Sequence, residues 1–127
     1  MTRVFDTSAV LAALAAEPGG DKVAELWAEG ENLISAVNYA EVVTKLNERG
    51  ATDAEILAVL EGVPLTLVTF DQQNAHATGL LRTATKTLGL SLGDRACLAL
   101  AQSRKATVVT ADKVWKKLKG FDIQVIR

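Results

Sequence analysis

The chain has 127 residues, 49% hydrophobic and 23% charged, with 14 Lys+Arg against 15 Asp+Glu for a formal net charge of −1. A chain of that size forms one domain, residues 1–127, and buries roughly two-thirds of its unfolded surface without a disulfide or metal staple. A single Cys, two Pro and no apolar run near the ~18 residues of a membrane span argue against a disulfide scaffold, a low-complexity chain and a transmembrane protein.

The first β-type run is Thr2–Phe5. Behind it, Ala9–Ala16 has the look of a signal-peptide core. It spans only eight residues, however, follows Asp6 directly and ends in Glu17-Pro18-Gly19-Gly20 as a helix does. A cytoplasmic protein is expected. Val23, Leu26 and Trp27 share one face of a helix over Asp21–Glu29. A short strand at Asn32–Ile34 leads to a helix over Val37–Arg49, stopped at Gly50. Thr52 and Glu55 form a capping box for the next helix, which Gly62 and Pro64 close. Leu65–Phe70 reads as a strand, and Asp71 as an N-cap to a long helical stretch running from about Ala75 to Thr87. A further helix starts after Ser91, a strand follows at Thr107–Thr110, then a short helix over Lys113–Leu118 and a last strand at Ile123–Ile126. Strands alternating with helices predict a three-layer α/β/α sandwich around a mostly parallel five-stranded sheet. In such sheets ligands bind at the carboxyl ends of the strands.

The near-zero charge conceals two opposed halves. Residues 1–81 carry 4 basic and 12 acidic residues (−8), and residues 82–127 carry 10 basic and 3 acidic (+7). That asymmetry points to a polar site or an anionic partner. Most acids sit at turns or polar helix faces, but four lie among apolar or small residues: Asp6, Glu41, Asp94 and Asp112. Taken singly, Asp6, Asp94 and Asp112 can each serve as helix caps, Asp94 as the end of a Ser91-Leu-Gly-Asp94 capping box. Glu41 lies too far inside its helix to cap, and Asn38, three residues earlier, shares its face. Taken together, all four open toward one edge of a parallel sheet, where their repulsion calls for cations. Hard divalent ions with oxygen ligands answer that need, and paired ions can activate a water for phosphodiester cleavage. With one His (His76) and one Cys (Cys97), zinc sites and Ser-His or Cys-His catalysis find little support.

These segments resemble the PIN-domain nucleases, and among them the VapC-type toxins of bacterial toxin–antitoxin pairs. The resemblance is carried by Val-Phe-Asp6-Thr-Ser-Ala, Ile34-Ser-Ala-Val-Asn-Tyr-Ala-Glu41-Val, Gly89-Leu-Ser-Leu-Gly-Asp94-Arg-Ala, and Val108-Val-Thr110-Ala-Asp112 with Trp115 behind it, in family order. It implies an Mg²⁺- or Mn²⁺-dependent endoribonuclease, a homodimer, and a cognate antitoxin that blocks the cleft. It implies Asp6 and Asp94 as the closest ligands, Asp112 acting through water and Glu41 orienting water. Ser8, Asn38 and Thr110 would hydrogen-bond around the acids.

Arg95 beside Asp94, and Lys113, Lys116 and Lys117 beside Asp112, are candidates to hold RNA phosphates. Arg104, Lys105 and Lys119 read as solvated surface, and Trp27 and Trp115 as packing residues. Alternatives to a toxin are a housekeeping PIN nuclease acting on RNA or DNA, and a catalytically silent interaction module. A phosphoacceptor receiver or haloacid-type phosphatase fits worse, because Asp6-Thr-Ser lacks a second carboxylate two residues on.

Overall fold

The computed structural model describes residues Met1–Arg127. Five strands, β1 (Thr2–Phe5), β2 (Glu31–Ser35), β3 (Thr66–Val68), β4 (Thr107–Thr110) and β5 (Ile123–Val125), form one sheet in the order β3-β2-β1-β4-β5. Every neighbouring pair is parallel. The six α-helices are α1 (Thr7–Leu14), α2 (Gly20–Trp27), α3 (Ala36–Glu48), α4 (Asp53–Glu61), α5 (Gln72–Thr85) and α6 (Leu92–Arg104).

Alternation along the central strands assigns residues to the two faces of the sheet. Val4, Leu33 and Val108 pack with Cys97, Leu98, Leu100 and Trp115 on the α6 side. Their successors Phe5, Ile34 and Val109 pack with α1 (Ala9, Val10), α2 (Val23, Leu26), α3 (Val42) and α4 (Ile56, Leu60) on the other. With both faces covered, the adjacent pairs Val4-Phe5, Leu33-Ile34 and Val108-Val109 are all buried, as the middle of a parallel sheet covered on both sides requires. This is the expected α/β/α sandwich.

Local punctuation follows the chemistry of the caps. Thr52 and Glu55 form both halves of a capping box on α4, as do Ser91 and Asp94 on α6. Asp71 caps α5 through the Asn74 N–H, and Gly50 follows α3 at φ +97°, where a side chain would be strained. Trp115 and Cys97 are buried and His76 is exposed.

Three elements differ from their sequence reading. The helix expected from about Ala75 begins at Gln72 and gives way to a 3₁₀ turn at Lys86–Leu88. The strand expected over Leu65–Phe70 keeps only Thr66–Val68: β2 ends at Ser35, opposite Val68, and the Leu65 N–H turns to the Val63 carbonyl. The last helix is a 3₁₀ turn, Lys113–Lys117. Five residues between an Asp112 cap and Leu118 leave little room for i→i+4 bonding. No helix is long and apolar enough to cross a membrane.

Candidate active site

The chain leaves β1 for β2 and β3 on one side, then returns to build β4 and β5 on the other. The topological switch point, where crevices open in parallel sheets, therefore lies between the carboxyl ends of β1 and β4. Asp6 follows β1 directly, and Asp112 stands two residues beyond β4.

Asp6 is 4% exposed and thoroughly held. Its Oδ1 accepts the Ala9 N–H at 2.8 Å and the Ser8 hydroxyl at 2.7 Å, and its Oδ2 accepts the Thr110 hydroxyl at 2.6 Å. Ser8 Oγ in turn accepts the Ala111 N–H at 2.9 Å, and Thr110 Oγ1 accepts the Asp112 N–H at 3.1 Å. Two hydroxyls thus stitch the ends of β1 and β4 together around one carboxylate, which fixes its orientation.

Glu41 reaches in from the other side. Its Oε1 accepts the Thr7 hydroxyl at 2.6 Å and the Asn38 amide at 3.0 Å. The same Asn38 Nδ2 reaches the Gly93 carbonyl at 3.1 Å, tying α3 to the first turn of α6. Asn38 is 1% exposed, and its own Oδ1 has no partner in the fold. Asp94, half-buried, accepts the Ser91 N–H at 2.9 Å through Oδ2. Asp112, exposed, accepts the Val114 N–H at 3.0 Å through Oδ1.

The acids feel one another. Burial pushes the Asp6 carboxyl up to about 6 from 3.8, against the hydrogen bonds from Thr110, Ala9 and Ser8, and the Asp94 charge adds to the rise. Asp94 is raised too, first by burial, then by the charges of Glu41 and Asp112 acting against its Ser91 bonds. Burial also pushes the Cys97 thiol well up, with Asp6, Asp94 and Glu41 adding to it, so Cys97 is no nucleophile.

The donor set suits a hard cation: carboxylates and hydroxyls, with no thiolate or imidazole. One oxygen each of Glu41 (Oε2), Asp94 (Oδ1) and Asp112 (Oδ2) takes no hydrogen bond from the protein. No three of the carboxylates lie close enough to grip a single ion with the side chains as they stand. Asp94 links them electrostatically, its charge acting on Asp6 and those of Glu41 and Asp112 acting on it, without forming a closed cage.

The PIN domain family model matches residues 3–120. The chain belongs to the PIN domain family. Its fold recurs in solved structures of VapC toxins and their complexes. A toxin–antitoxin complex from Klebsiella pneumoniae superposes with TM-score 0.77 at 21% identity, covering 98% of each chain. VapBC-5 from Mycobacterium tuberculosis, a member of the VapBC toxin–antitoxin family, gives 0.64 at 26% identity over 99% of this chain and 98% of that one. VapC20 from the same organism, a sarcin-ricin loop cleaving toxin, gives 0.74 at 17% identity over 94% and 95%. No curated protein matches the sequence.

Within this PIN domain the sequence-predicted residues do not all stand in equivalent places. Ser8, Asn38 and Thr110 contact the acids directly. Arg95 is half-buried and donates from Nη1 to the Thr78 carbonyl at 3.1 Å, so here it braces α6 against α5. Lys113, Lys116 and Lys117 are exposed beside Asp112. The 3₁₀ geometry, with three residues per turn, stacks Lys113 over Lys116 and swings Lys117 to a different side.

Two residues of the site escaped sequence reasoning. Thr7 lies outside the residues that the sequence pattern singles out, yet its hydroxyl holds Glu41. Gly93 leaves the space that the Glu41 carboxylate occupies: a Cβ built there would fall on both of its oxygens. A glycine inside the first turn of a helix was the available signal, since it costs about 1 kcal/mol relative to Ala and asks for a packing reason.

Proposed function

We propose that the chain is a divalent-metal-dependent endoribonuclease, the toxin of a toxin–antitoxin pair, acting in the cytoplasm as a homodimer. The observation that supports the reading is the hydroxyl-clamped Asp6 at the β1/β4 switch point, with the Asp94 charge acting on it and those of Glu41 and Asp112 acting on Asp94. Mg²⁺ or Mn²⁺, held chiefly by Asp6 and Asp94 and through water by Asp112, would supply Lewis-acid activation of a water. Ser8 and Thr110 keep Asp6 in place. Glu41, gripped by Thr7 and Asn38 on one oxygen, turns the other toward the crevice to orient a water. Lys113, Lys116 and Lys117 neutralise phosphates beside the scissile bond, and Arg95 keeps the α6 terminus in position.

The antitoxin reading draws on the relatives crystallised as toxin–antitoxin complexes, and RNA as substrate on the sarcin-ricin loop cleaving relative. The homodimer draws on α4, whose Leu57 and Val59 stay 48% and 42% exposed. The test is cleavage of matched RNA and DNA oligonucleotides with Mg²⁺ or Mn²⁺ by the wild type, Asp6→Asn and Asp94→Asn. RNA cleavage lost in both variants, with growth arrest on expression of the wild type only, is the expected result. Undiminished metal-dependent cleavage by Asp6→Asn would overturn the site, and preference for DNA would overturn the substrate.

A further inference from the structure

The cations of this chain divide into two populations. All four in residues 1–81, Arg3, Lys22, Lys45 and Arg49, pair with a carboxylate at 3.3 to 3.8 Å. None of the ten in residues 82–127 has an ionic partner. Two of those ten are held by carbonyls, Arg95 by Thr78 and Arg127 by Pro18. The rest are exposed charges without a counter-ion from the protein.

Some of them border a groove. It runs between the 3₁₀ turn Lys86–Leu88 and the segment after the 3₁₀ turn Lys113–Lys117, lined by Thr85, Thr87, Leu88, Lys117, Lys119 and Phe121 among others, and by no carboxylate. Asp122, the nearest acid in sequence, is tied to the Thr107 hydroxyl at 2.6 Å and lies outside it. Both walls lead back to the acids. The first turn runs into the Ser91 cap that carries Asp94, and Asp112 caps the second. Five residues at about 2.0 Å each place Lys117 about 10 Å along the chain from Asp112. Phe121 is half-buried, packed against the cluster of Val4, Leu98, Val108 and Trp115, and so is a fixed aromatic in a basic groove. Basic grooves with anchored aromatic rings suit single strands, whose phosphates follow the charge and whose bases stack on the ring.

We propose that this groove binds a single-stranded polynucleotide leaving the acidic crevice, with Lys117 and Lys119 on its phosphates, the Thr87 hydroxyl beside them and Phe121 under a base. Lys119, which the sequence presents as solvated surface, becomes part of a binding site. The inference rests on the proposed nuclease function and extends it to the path of the strand.

The test is binding of a labelled 12-nucleotide RNA, the matching single-stranded DNA and the RNA duplex to the wild type in EDTA, where cleavage is absent, over a series of salt concentrations. Each phosphate contact to a single strand contributes about 0.7 to the slope of log K against log salt, so Lys117→Gln/Lys119→Gln should lower it by about 1.4 for both single strands. Phe121→Leu keeps an apolar side chain in the core but removes the ring. It should weaken binding roughly 5- to 150-fold with the slope unchanged. Melting temperatures close to wild type for these variants keep the comparison valid, and Phe121→Tyr, which retains a ring, should restore affinity. Arg104→Gln, equally exposed and facing Val68, Thr69 and Asp71 away from the groove, should leave the slope alone. An unchanged slope in the Lys117/Lys119 variant, an equal fall in the Arg104 variant, or an equal response of the duplex would overturn the groove. Binding without any cleavage after Mg²⁺ addition would overturn the nuclease reading and leave the groove standing.

Discussion

Gly93→Ala isolates the contact on which the placement of Glu41 depends. The new methyl would land on the Glu41 carboxylate, which cannot simply retreat: Thr7 and Asn38 hold its Oε1 at 2.6 and 3.0 Å, and Asn38 is itself buried between α3 and α6. Overpacking of this kind costs about 1–3 kcal/mol. Against it stands a gain of about 0.4–1 kcal/mol from replacing a helical glycine by alanine, available because Gly93 lies in α6 outside the positive-φ set. The net effect should be a loss of about 0–2.5 kcal/mol in urea unfolding, with RNA cleavage falling well beyond that because Glu41 is expelled from the crevice. The decisive measurement is the double-mutant cycle with Glu41→Ala. Once the carboxylate is gone, Gly93→Ala loses its three nearest obstacles and should stabilise by about 0.4–1 kcal/mol. An equal cost in both backgrounds would refute the argument that Gly93 makes room for Glu41.

Other expectations follow from the same contacts. Because the folded Asp6 carboxyl titrates at about 6 against 3.8, the folded state binds the extra proton between those values. Metal-free stability should therefore fall as pH rises through that window, by about 3 kcal/mol from this group, and the difference between wild-type and Asp6→Asn urea midpoints at pH 3.5 and 7.5 measures it. No pH dependence of that difference would remove the buried-charge account of Asp6. Thr7→Val should depress turnover at least about tenfold, as loss of a charge-assisted hydrogen bond worth about 1.5–3 kcal/mol implies, and Thr7→Ser should recover most of it. Equal losses in both would point to packing at Thr7. Millimolar Mg²⁺ or Mn²⁺ should raise the wild-type melting temperature, and Asp6→Asn or Asp94→Asn should abolish the rise, as binding to the native state alone requires. Thr52→Ala should cost about 1 kcal/mol in urea unfolding by breaking the α4 capping box, with cleavage intact.

What could be read from the sequence was mostly what is decided within a few residues. The caps at Thr52, Asp71 and Ser91, the stop at Gly50 and the strands Thr2–Phe5 and Thr107–Thr110 all fall where local chemistry puts them. The departures are decided at a distance. The C-terminal limit of β3 is set by where β2 ends, at Ser35, which no feature of Leu65–Phe70 encodes. Thr7 holds a carboxylate 34 positions away, and the identity of Gly93 answers to a side chain on another helix. Arg95, adjacent to an acid in sequence, is turned to a carbonyl of α5 that only the tertiary fold brings near.

For these acids, capping a helix and binding a cation need not compete. A carboxylate has two oxygens with about four acceptor sites, whereas a cap bond uses only one of those sites. Asp94 gives Oδ2 to the Ser91 N–H and Asp112 gives Oδ1 to the Val114 N–H, each leaving its other oxygen unbonded. Glu41, which caps nothing, is fixed in the same manner by Thr7 and Asn38 on Oε1. Binding one oxygen to the backbone or to a buried donor is what orients the other, so the cap is the means by which the acid is aimed. Asp6 is the exception that sets the order of importance. Both of its oxygens are engaged and its burial is the deepest of the four, so its charge is the one the fold tolerates least without a cation and the one whose removal should change the most.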